Sequence, residues 1–569
     1  MSATMDDIEI TSLPRNSEAP VADRPEDDVS GAVAVEWQPS GHEKAVIYTL
    51  AVINLLVSLD ATIIVTALGA IAEDIGGTTS QTFWIGTSYL LVNAVTMPVI
   101  CSVSDVIGRP ICLTFSLAAF TVGTIVCCTA NSMASILVGR CIQGVGGGGI
   151  HSLSLVIQTD LVPLRFRPKW YGITLGAWAI GLTIGPILGG AIAQKTSWRW
   201  IFYLMFPICG FGLVAIPYLL TLRPRAATAR EKIGRIDWLG GFCFAGTATA
   251  FLIAISWGGT QIMNSTNNHS WGNVSTVAPL VIGALGMILT VFYEMYFAKN
   301  PFLRKDLFRD LSSVVSYVAA CFQGILLYGL LYYAPFYFMA VKGFTPINTG
   351  LALLPNLVAF SIAGIVTGRL VTRFNSFRWA IWGGWVISCF SCAFYIAWRS
   401  NDSAPMWVIA FLLGGFSHGA ILNAQNFATQ ALCRPGDEGA AAAMYIFMRQ
   451  FGMAIGVGIG ATTYQNVMKL KLGWEGLPVE IADHAEAYIP TLRAMPPGHE
   501  RDAIYDAYKF GFQILCSTWL AISFLILILC LVFVKHADMN RKLESEHHLD
   551  SERIIRHWGQ KKSDVWARD

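Results

Sequence analysis

The chain has 569 residues, of which 54% are hydrophobic and 13% are charged, about half the charged fraction of an average soluble domain. Fourteen bilayer-crossing helices would take about 280 residues, roughly half of the chain, which matches the apolar fraction. This composition argues against a soluble multidomain enzyme. The 39 basic against 37 acidic residues also leave too little positive charge for a nucleic-acid binder.

The N-terminal arm differs from the rest of the chain in charge. Residues 1–44 hold ten acidic against three basic residues, and no basic segment precedes an apolar run, so no signal peptide is predicted. We expect this arm to be a disordered tail. The 13 cysteines lie mostly inside apolar runs, without metal-ligand spacing, and predict neither a disulfide framework nor a metal site.

Apolar runs of suitable length predict fourteen membrane-spanning helices and thus an all-α polytopic membrane protein. The predicted spans lie near residues 46–70, 83–103, 111–130, 133–157, 170–193, 200–221, 237–257, 277–297, 313–335, 350–371, 379–398, 406–428, 440–465 and 511–534. Two of these runs, the fourth and the twelfth, are rich in glycine, so twelve or thirteen spans remain an alternative.

The loop charges predict the orientation. If both tails lie in the cytoplasm, the inner loops hold 17 basic residues and the outer loops nine, of which five lie in one long loop, 466–510. Basic residues favour the cytoplasmic side, so we expect both tails there. Four glycosylation acceptor motifs fall in outer loops of this topology, at Asn264, Asn268, Asn273 and Asn401.

Two spans carry deep charges that suggest proton coupling. Asp60 lies near the middle of span 1, where an ionised carboxylate is costly and its protonation depends on access to water. The alternative is a neutral, hydrogen-bonded structural Asp60. Span 4 begins GRCIQGVGGGG, and its Arg140 and Gln143 should face a wet cavity or a partner. The glycines of this span match GxGxxG, but no strand precedes them, so a nucleotide site is not predicted.

Two further motifs suggest conformational roles. CSVSDVIGRPICL, between spans 2 and 3, places Asp105, Gly108 and Arg109 in a tight turn. These charges could latch one conformation by pairing with each other or with a helix end, or they could belong to a solvated turn. GLTIGPILGG in span 5 combines small residues with a bend-inducing proline, which suits a rocking surface between two halves or ordinary helix packing. Its motif positions are Gly181, Gly185, Pro186, Gly189 and Gly190.

Other polar and aromatic side chains are candidates for a substrate cavity. Span 12 places Asn423, Asn426 and Gln430 on one helical face, although helix-to-helix hydrogen bonding is an equal alternative. The remaining candidates are Gln323 and Tyr332 in the aromatic-rich span 9 and the deep Arg449 in span 13. An aromatic wall suits flat, apolar substrates, although part of it belongs to the interfacial belt.

These motifs resemble the major facilitator superfamily, in particular its fourteen-helix drug:proton antiporter branch and the fungal toxin and multidrug efflux type. GLTIGPILGG resembles the antiporter motif of span 5, and RCIQG resembles the span-4 motif associated with proton coupling. SLDATIIVTAL is similar to the span-1 motif of the branch and places Asp60 on its acidic position. SWRWIFYLMFP, RIDWLGG and APFYFMAVKGF are similar to fungal members.

The resemblance implies two six-helix bundles, residues 45–222 and 298–534, with a basic linker and two additional helices at 223–297 and a second cytoplasmic tail at 535–569. It implies proton-driven export of a small amphipathic compound, with Asp60 and Arg140 coupling protons to alternating access. No cofactor beyond the proton gradient is expected. The expected protein is a monomer with no nucleic-acid partner, in the plasma membrane or alternatively the vacuolar membrane.

Three alternatives stay open. The same superfamily includes siderophore–iron and vacuolar basic amino-acid carriers, and a non-transporting receptor belongs to another class. The chain also departs from the family pattern at five positions, which puts the strength of the charge latch and two polar contacts in question. These positions are Cys101, Val106, Pro110, Met205 and Met339.

Overall fold

The computed structural model describes residues 38–76, 79–220, 234, 236–257, 273–397, 404–482 and 485–539, and no strand occurs among them. Thirteen helices within these segments are long and apolar enough to span a membrane. A further helix, Met133–Leu161, has 29 residues and corresponds to predicted span 4. Its polar side chains and glycines lower its mean hydropathy. The predicted all-α polytopic fold is confirmed.

The helices follow the predicted spans closely in the first half of the chain. They are α1 Gly41–Ile63, α2 Leu68–Ile75, α3 Thr79–Ile107, α4 Arg109–Cys128, α5 Met133–Leu161, α6 Arg167–Lys195, α7 Trp200–Tyr203, α8 Phe206–Leu219, α9 Trp238–Trp257 and α10 Val274–Tyr296. A capping box starts α1, since the Ser40 hydroxyl accepts a hydrogen bond from Glu43 N while the Glu43 carboxylate accepts one from Ser40 N.

The second half continues the same pattern. Its helices are α11 Leu311–Ala340, α12 Pro346–Phe374, α13 Arg378–Ala397, α14 Ala404–Leu432, α15 Glu438–Trp474, α16 Ala485–Ala494 and α17 His499–Phe533, with short 3₁₀ turns at Lys305–Phe308 and Val479–Ala482. The predicted outer loop 466–510 is therefore mostly helical. Its helices carry many charged and polar residues, and a search for apolar runs does not detect such segments.

The predicted first span is interrupted. It reaches from α1 into α2, and the chain leaves the helix at residues 64–67. This stretch belongs to a β-branched run, whose side chains restrict helix formation. The Thr62 and Thr66 hydroxyls donate to carbonyl oxygens of α6, at 3.4 Å to Gly181 and 3.0 Å to Pro186. Contacts with α6 therefore stabilise the interruption.

The helices pack as two groups with an additional pair at the side. In the N-terminal half α1 packs on α6 and α8, and α5 packs on α3 and α4. In the C-terminal half α12 packs on α14, α11 on α15, and α13 on α14 and α17. The halves meet along α6–α12 and α3–α15, while α9 and α10 pair with each other and α9 contacts α3 and α15. Exposed apolar side chains cover much of α10, as expected for a lipid-facing helix.

The bundle has two ends, which we name by one residue each. The Arg109 end is the end at which α3 stops and α4 begins. The Trp198 end is the opposite one, at which α6 stops and α7 begins. Predictions for residues 1–37, for 540–569 and for most of the linker 223–236 lie outside the described residues.

Candidate transport pathway and its charged residues

The two predicted proton-coupling residues form one buried ion pair. Arg140 of α5 donates from Nη1 to Asp60 Oδ2 of α1 at 2.8 Å, and the residues are 0% and 1% exposed. Gln143 lies one turn further along α5, where its Oε1 accepts from Arg140 Nη1 at 2.9 Å and its Nε2 lies 3.4 Å from Asp60 Oδ1. The structure thus brings together Asp60, Arg140 and Gln143 in the core of the N-terminal half.

Neighbouring helices hold this cluster in place. Arg140 Nε donates to the Ile85 carbonyl oxygen at 3.0 Å, and the guanidinium carbon lies 4.4 Å from the centroid of the Tyr89 ring. Gln143 Nε2 donates to Thr124 Oγ1 at 2.9 Å. A buried cation needs such compensation, because an unpaired charge at this depth is costly.

The glycines of α5 allow close contact with two helices. A Cβ on Gly144 would lie 2.9 Å from the Tyr89 carbonyl oxygen of α3, and a Cβ on Gly146 would lie 2.5 Å from the Phe120 backbone nitrogen of α4. The GxGxxG-like string is thus a packing surface inside a helix.

The motif glycines of α6 contact α1. A Cβ on Gly181 would lie 2.8 Å from the Leu55 carbonyl oxygen, one on Gly185 3.1 Å from Ile63 N, and one on Gly189 2.9 Å from the Ile63 carbonyl carbon. All three therefore form a seam within the N-terminal half. Spacing alone suggested a surface between the halves, since it reveals a small-residue face without its partner.

Other α6 residues do face the opposite half. A Cβ on Gly190 would lie 3.7 Å from Ile347 Cγ1 of α12, and a Cβ on Gly350 of α12 would lie 3.7 Å from the Pro186 carbonyl carbon. The end of the motif, at Pro186 and Gly190, therefore lies at the junction of the halves near the Trp198 end.

The turn between α3 and α4 is a charge cluster. Arg109 bonds to Asp105, donates to Ser104 Oγ at 2.7 Å and pairs with Asp160 of α5 at 3.1 Å. Gly108 has φ +124°, a conformation that favours glycine. Of the departures from the family pattern, Pro110 lies in the first turn of α4, where proline is tolerated, and Cys101 and Val106 line a neighbouring cavity of about 400 Å³.

The same end carries ion pairs around the segment that precedes α11. Arg304 pairs with Asp437 and lies 3.9 Å from Asp105 of the other half, while Arg434 pairs with Asp306 at 3.1 Å. These contacts, with the Arg109 cluster, draw charged groups of both halves together at the Arg109 end.

The span-12 polar face forms helix contacts in this conformation. Asn423 Nδ2 donates to the Gly364 carbonyl oxygen at 2.8 Å, and Gln430 Nε2 donates to Asn426 Oδ1 at 3.1 Å. Gln430 Oε1 accepts from Arg167 of α6 at 3.0 Å, which links the two halves. That these residues face the substrate in another conformation stays a prediction.

The other cavity candidates are buried in α11. Gln323 is fully buried, and its two side-chain polar atoms have no hydrogen-bond partner among the described residues. Tyr332 faces α3, where a Cβ on Gly86 would lie 3.3 Å from its hydroxyl oxygen. The contact between Tyr332 and Gly86 joins α11 to α3 of the other half. That Gln323 and Tyr332 lie beside the transport pathway stays a prediction.

Arg449 of α15 reaches the N-terminal half near mid-depth. Its Nη2 lies 2.8 Å from His151 Nε2 of α5, and its guanidinium carbon lies 5.3 Å from the ring centroid of Trp178 of α6. The adjacent Gln450 donates to Asn93 Oδ1 of α3 at 3.2 Å. Polar contacts between the halves therefore occur at mid-depth as well as at the Arg109 end.

A clasp around Asp74 closes part of the Trp198 end. Asp74 Oδ2 accepts from Trp198 Nε1 and from Arg199 Nη1, both at 2.8 Å, and these donors hold the pKa of the Asp74 carboxyl below its usual range. Arg199 also donates to the Ala130 carbonyl oxygen at 3.0 Å. The clasp ties α2 to the residues between α6 and α7 and to the end of α4.

Of the predicted glycosylation sites, Asn273 lies within the described residues. It is the N-cap of α10, and its side-chain oxygen accepts from Ser275 N at 3.3 Å. Asn264, Asn268 and Asn401 lie outside the described residues. Glycosylation at the four sites stays a prediction.

Comparison with known proteins assigns the family. The sequence model of the Major Facilitator Superfamily matches residues 50–457, which is more than half of the chain. The chain belongs to the major facilitator superfamily. It is 35% identical over 519 residues to the MFS transporter L2 of a Phoma species, covering 90% of this chain and 85% of that protein.

Other fungal relatives cover the chain nearly as fully. The efflux pump FUS6 of Gibberella moniliformis is 31% identical over 530 residues, which cover 91% of this chain and 92% of that protein. The MFS efflux transporter aclA of Aspergillus oryzae is 30% identical over 514 residues, with coverages of 89% and 91%. The resemblance to fungal efflux members of the superfamily is confirmed.

A solved structure shows the same fold. The crystal structure of the human organic anion transporter MFSD10 matches with a TM-score of 0.52 at 17% identity, covering 87% of this chain and all of that one. At this identity the match supports the major facilitator fold alone. As a member of the superfamily, the protein is a multi-pass membrane transporter of small molecules.

The structure of this facilitator shows residue contacts that the spacing of residues in the sequence did not predict. Asp160 pairs with Arg109 across 51 residues, and Tyr89 lies against Arg140. His151 is a polar residue within predicted span 4, and its contact with Arg449 spans 298 residues. For His151 the signal in the sequence was its position inside a predicted span, whereas Asp160 lies just beyond that span. The pairing of these residues is a property of the packed helices.

Proposed function

We propose that this facilitator is a proton-coupled antiporter that exports a small amphipathic compound, of the toxin, secondary-metabolite or drug class. The relatives support export, because two of those described above are named as efflux proteins and cover about nine tenths of the chain. The observation that carries the proposal of proton coupling is the buried Asp60–Arg140 pair.

The pair can couple a proton to a conformational change for an electrostatic reason. A proton on Asp60 removes the negative partner of Arg140 and leaves a buried cation held by Gln143, the Ile85 carbonyl and the Tyr89 ring. Such a cation is costly, so the protonated pair favours a state in which water reaches it. The pair is closed to solvent in this conformation, so the proton affinity of Asp60 differs from that in a state that water reaches. Only such a difference in proton affinity can couple the proton gradient to transport.

Orientation and location are part of the proposal. The bias of basic residues supports a cytoplasmic Arg109 end with both tails on that side, and we propose the plasma membrane as the location. Opening toward the cytoplasm then requires breaking the Arg167–Gln430 link and the Arg304–Asp105 contact. Substrate and proton would use the same access pathway in alternation.

The first experiment measures accumulation of fluorescent drugs and fungal metabolites in yeast that lacks its own efflux pumps and expresses this chain. We expect lower accumulation of at least one compound, and a protonophore should abolish the decrease. Raised accumulation would reverse the proposed direction. If every compound is unaffected while the protein is at the cell surface, a siderophore–iron complex is the next substrate to test.

Replacement of Asp60 tests the proton-coupling site. Asp60→Asn preserves the side-chain size and removes the titratable group, so exporting protein at normal abundance should lose its dependence on external pH. Asp60→Glu should retain part of that dependence. Asp502→Asn, at a carboxylate with a 71% exposed side chain, is the matched control. Unchanged pH dependence of Asp60→Asn would contradict the assignment.

A further inference from the structure

The guanidinium of Arg449 is a buried cation with unused donors. Arg449 is 1% exposed, and its Nε and Nη1 atoms have no hydrogen-bond partner within the described residues. These two atoms carry three N–H groups. The partner of Nη2 is His151 Nε2 at 2.8 Å, and because a guanidinium can only donate, that ring nitrogen accepts and carries no proton.

Arg449 differs from the other buried arginines in how little compensates its charge. Of the other buried arginines, Arg140 pairs with Asp60 and Arg109 pairs with Asp160, while Arg167 donates from all three nitrogens to neutral oxygens. In the described parts of the chain, Arg449 has neither a carboxylate partner nor neutral acceptors for Nε and Nη1. A buried charge at membrane depth is compensated by a partner or faces a water-filled path. Within its described residues, the protein thus supplies a cation without a counter-ion between the two halves.

A pair of aromatic rings, one from each half, lies beside this cation. The Arg449 guanidinium lies against Trp178 of α6, whose ring centroid is 5.7 Å from that of Phe360 of α12. A ligand here would meet one positive charge beside two aromatic rings, at the junction that opens during alternating access.

We infer that Arg449 binds the anionic group of the transported compound, and that the substrate class is an aromatic or conjugated carboxylic acid. The inference rests on the proposed function for its use of a transport cycle. The carboxylate would take the unused N–H groups of Arg449, and the rings of Trp178 and Phe360 would contact the flat part of the molecule. In the conformation described here the halves are closed around Arg449, so entry requires their separation.

Binding of matched acids and esters tests the inference. The probes are 1-naphthoate, 4-phenylbenzoate and cinnamate, each with its methyl ester, added to the full-length protein purified in an uncharged detergent at pH 7.4. Tryptophan fluorescence and the unfolding temperature report binding. We expect at least one acid to bind the wild type about tenfold more tightly than its ester, the effect of one charge-assisted contact of about 1.4 kcal/mol.

Substitutions at Arg449 separate charge from packing. Arg449→Gln should bind acid and ester alike, whereas Arg449→Lys should keep part of the preference for the acid. Arg373→Gln, at an exposed arginine of α12, is the control and should behave as the wild type does. If Arg449→Gln does not fold, the acid–ester comparison in the wild type and Arg449→Lys decides the question.

The inference is overturned if no acid binds the wild type more tightly than its ester, or if Arg449→Gln keeps the preference. Its failure is distinguishable from failure of the proposed function. A chain that binds acids selectively but changes no cellular accumulation supports the anion site and contradicts export. The opposite result is a wild type that binds acids and esters alike, together with an Arg449→Gln variant that exports neutral compounds at the wild-type rate by use of the proton gradient. That result supports export and contradicts the anion site.

Discussion

The hydrogen-bond donors around a carboxylate set its pKa, and Asp74 is an example at the protein surface. Its side chain is half exposed, yet Trp198 and Arg199 both donate to one of its oxygens. Both donors stabilise the ionised form, so the pKa of Asp74 lies below its usual value. The clasp at the Trp198 end therefore depends on pH.

We expect Asp74→Asn to lower the unfolding temperature slightly at pH 7. A carboxylate whose pKa is lowered on folding contributes stability above its unfolded pKa, about 3.9, and loses it as the pH falls through the folded pKa. The difference between variant and wild type should therefore shrink below about pH 4. Unfolding scans of the purified protein across this range measure it, with Asp502→Asn as control. A difference that is constant in pH would contradict the role of the clasp.

At the scale of helices, small residues decide how closely the elements approach. The glycines of α5 put its backbone against α3 and α4, and those of α6 put its backbone against α1. In a bilayer, packing rather than the hydrophobic effect drives such association. The Asp60–Arg140 pair lies between α1 and α5, so this packing also sets the distance between its charges.

Gly146→Ala tests the packing of α5. The added Cβ would lie 2.5 Å from the Phe120 backbone nitrogen, and backbone cannot move aside as a flexible side chain can. We expect a loss of about 1–3 kcal/mol in stability, as is usual for overpacking, seen as a lower unfolding temperature. Gly383→Ala in α13, where a Cβ meets nothing within 4 Å, is the matched control and should be neutral or mildly stabilising. Equal behaviour of the two variants would disprove the contact.

At the scale of the whole molecule, the two halves touch at both ends and at mid-depth. Arg167–Gln430 links them toward the Arg109 end, Arg449–His151 in the middle, and Gly190 approaches Ile347 toward the Trp198 end. Transport by alternating access requires one end to separate while the other stays closed. A covalent link across one end should therefore stop the cycle.

A disulfide between Gly190→Cys and Ile347→Cys tests this requirement. A Cβ on Gly190 would lie 3.7 Å from Ile347 Cγ1, an atom at one of the positions that the sulfur of Ile347→Cys could take, so a disulfide needs only a small adjustment. Cys243, the exposed native cysteine, is replaced by serine in all variants. We expect oxidation to nearly abolish export by the double variant and reduction to restore it, while each single variant is unaffected. Full export with the disulfide formed would exclude separation at this end.

The amino-acid sequence alone was sufficient for the helices and the deep charges. Bilayer thickness sets the length of a spanning segment, so local composition predicted the helices, and α5 was recognised despite its glycines. A charge at membrane depth is also visible locally, which singled out Asp60, Arg140 and Arg449. The sequence did not predict the interruption after α1, because it depends on contacts with α6. It did not predict the helices within residues 466–510 either, because these helices are too polar to form an apolar run.

The tertiary structure decided which residues pair with one another. Asp60 and Arg140 are 80 residues apart, and their pairing follows from helices that pack on one another. The α6 glycines turned toward α1 for the same reason, since a small-residue face can be read along the chain but its neighbour cannot. Arg140 has an acidic partner, whereas Arg449 has none among the residues that the structure describes. This difference is likewise invisible in the sequence, because compensation of a buried charge depends on which groups the fold brings within a few ångströms.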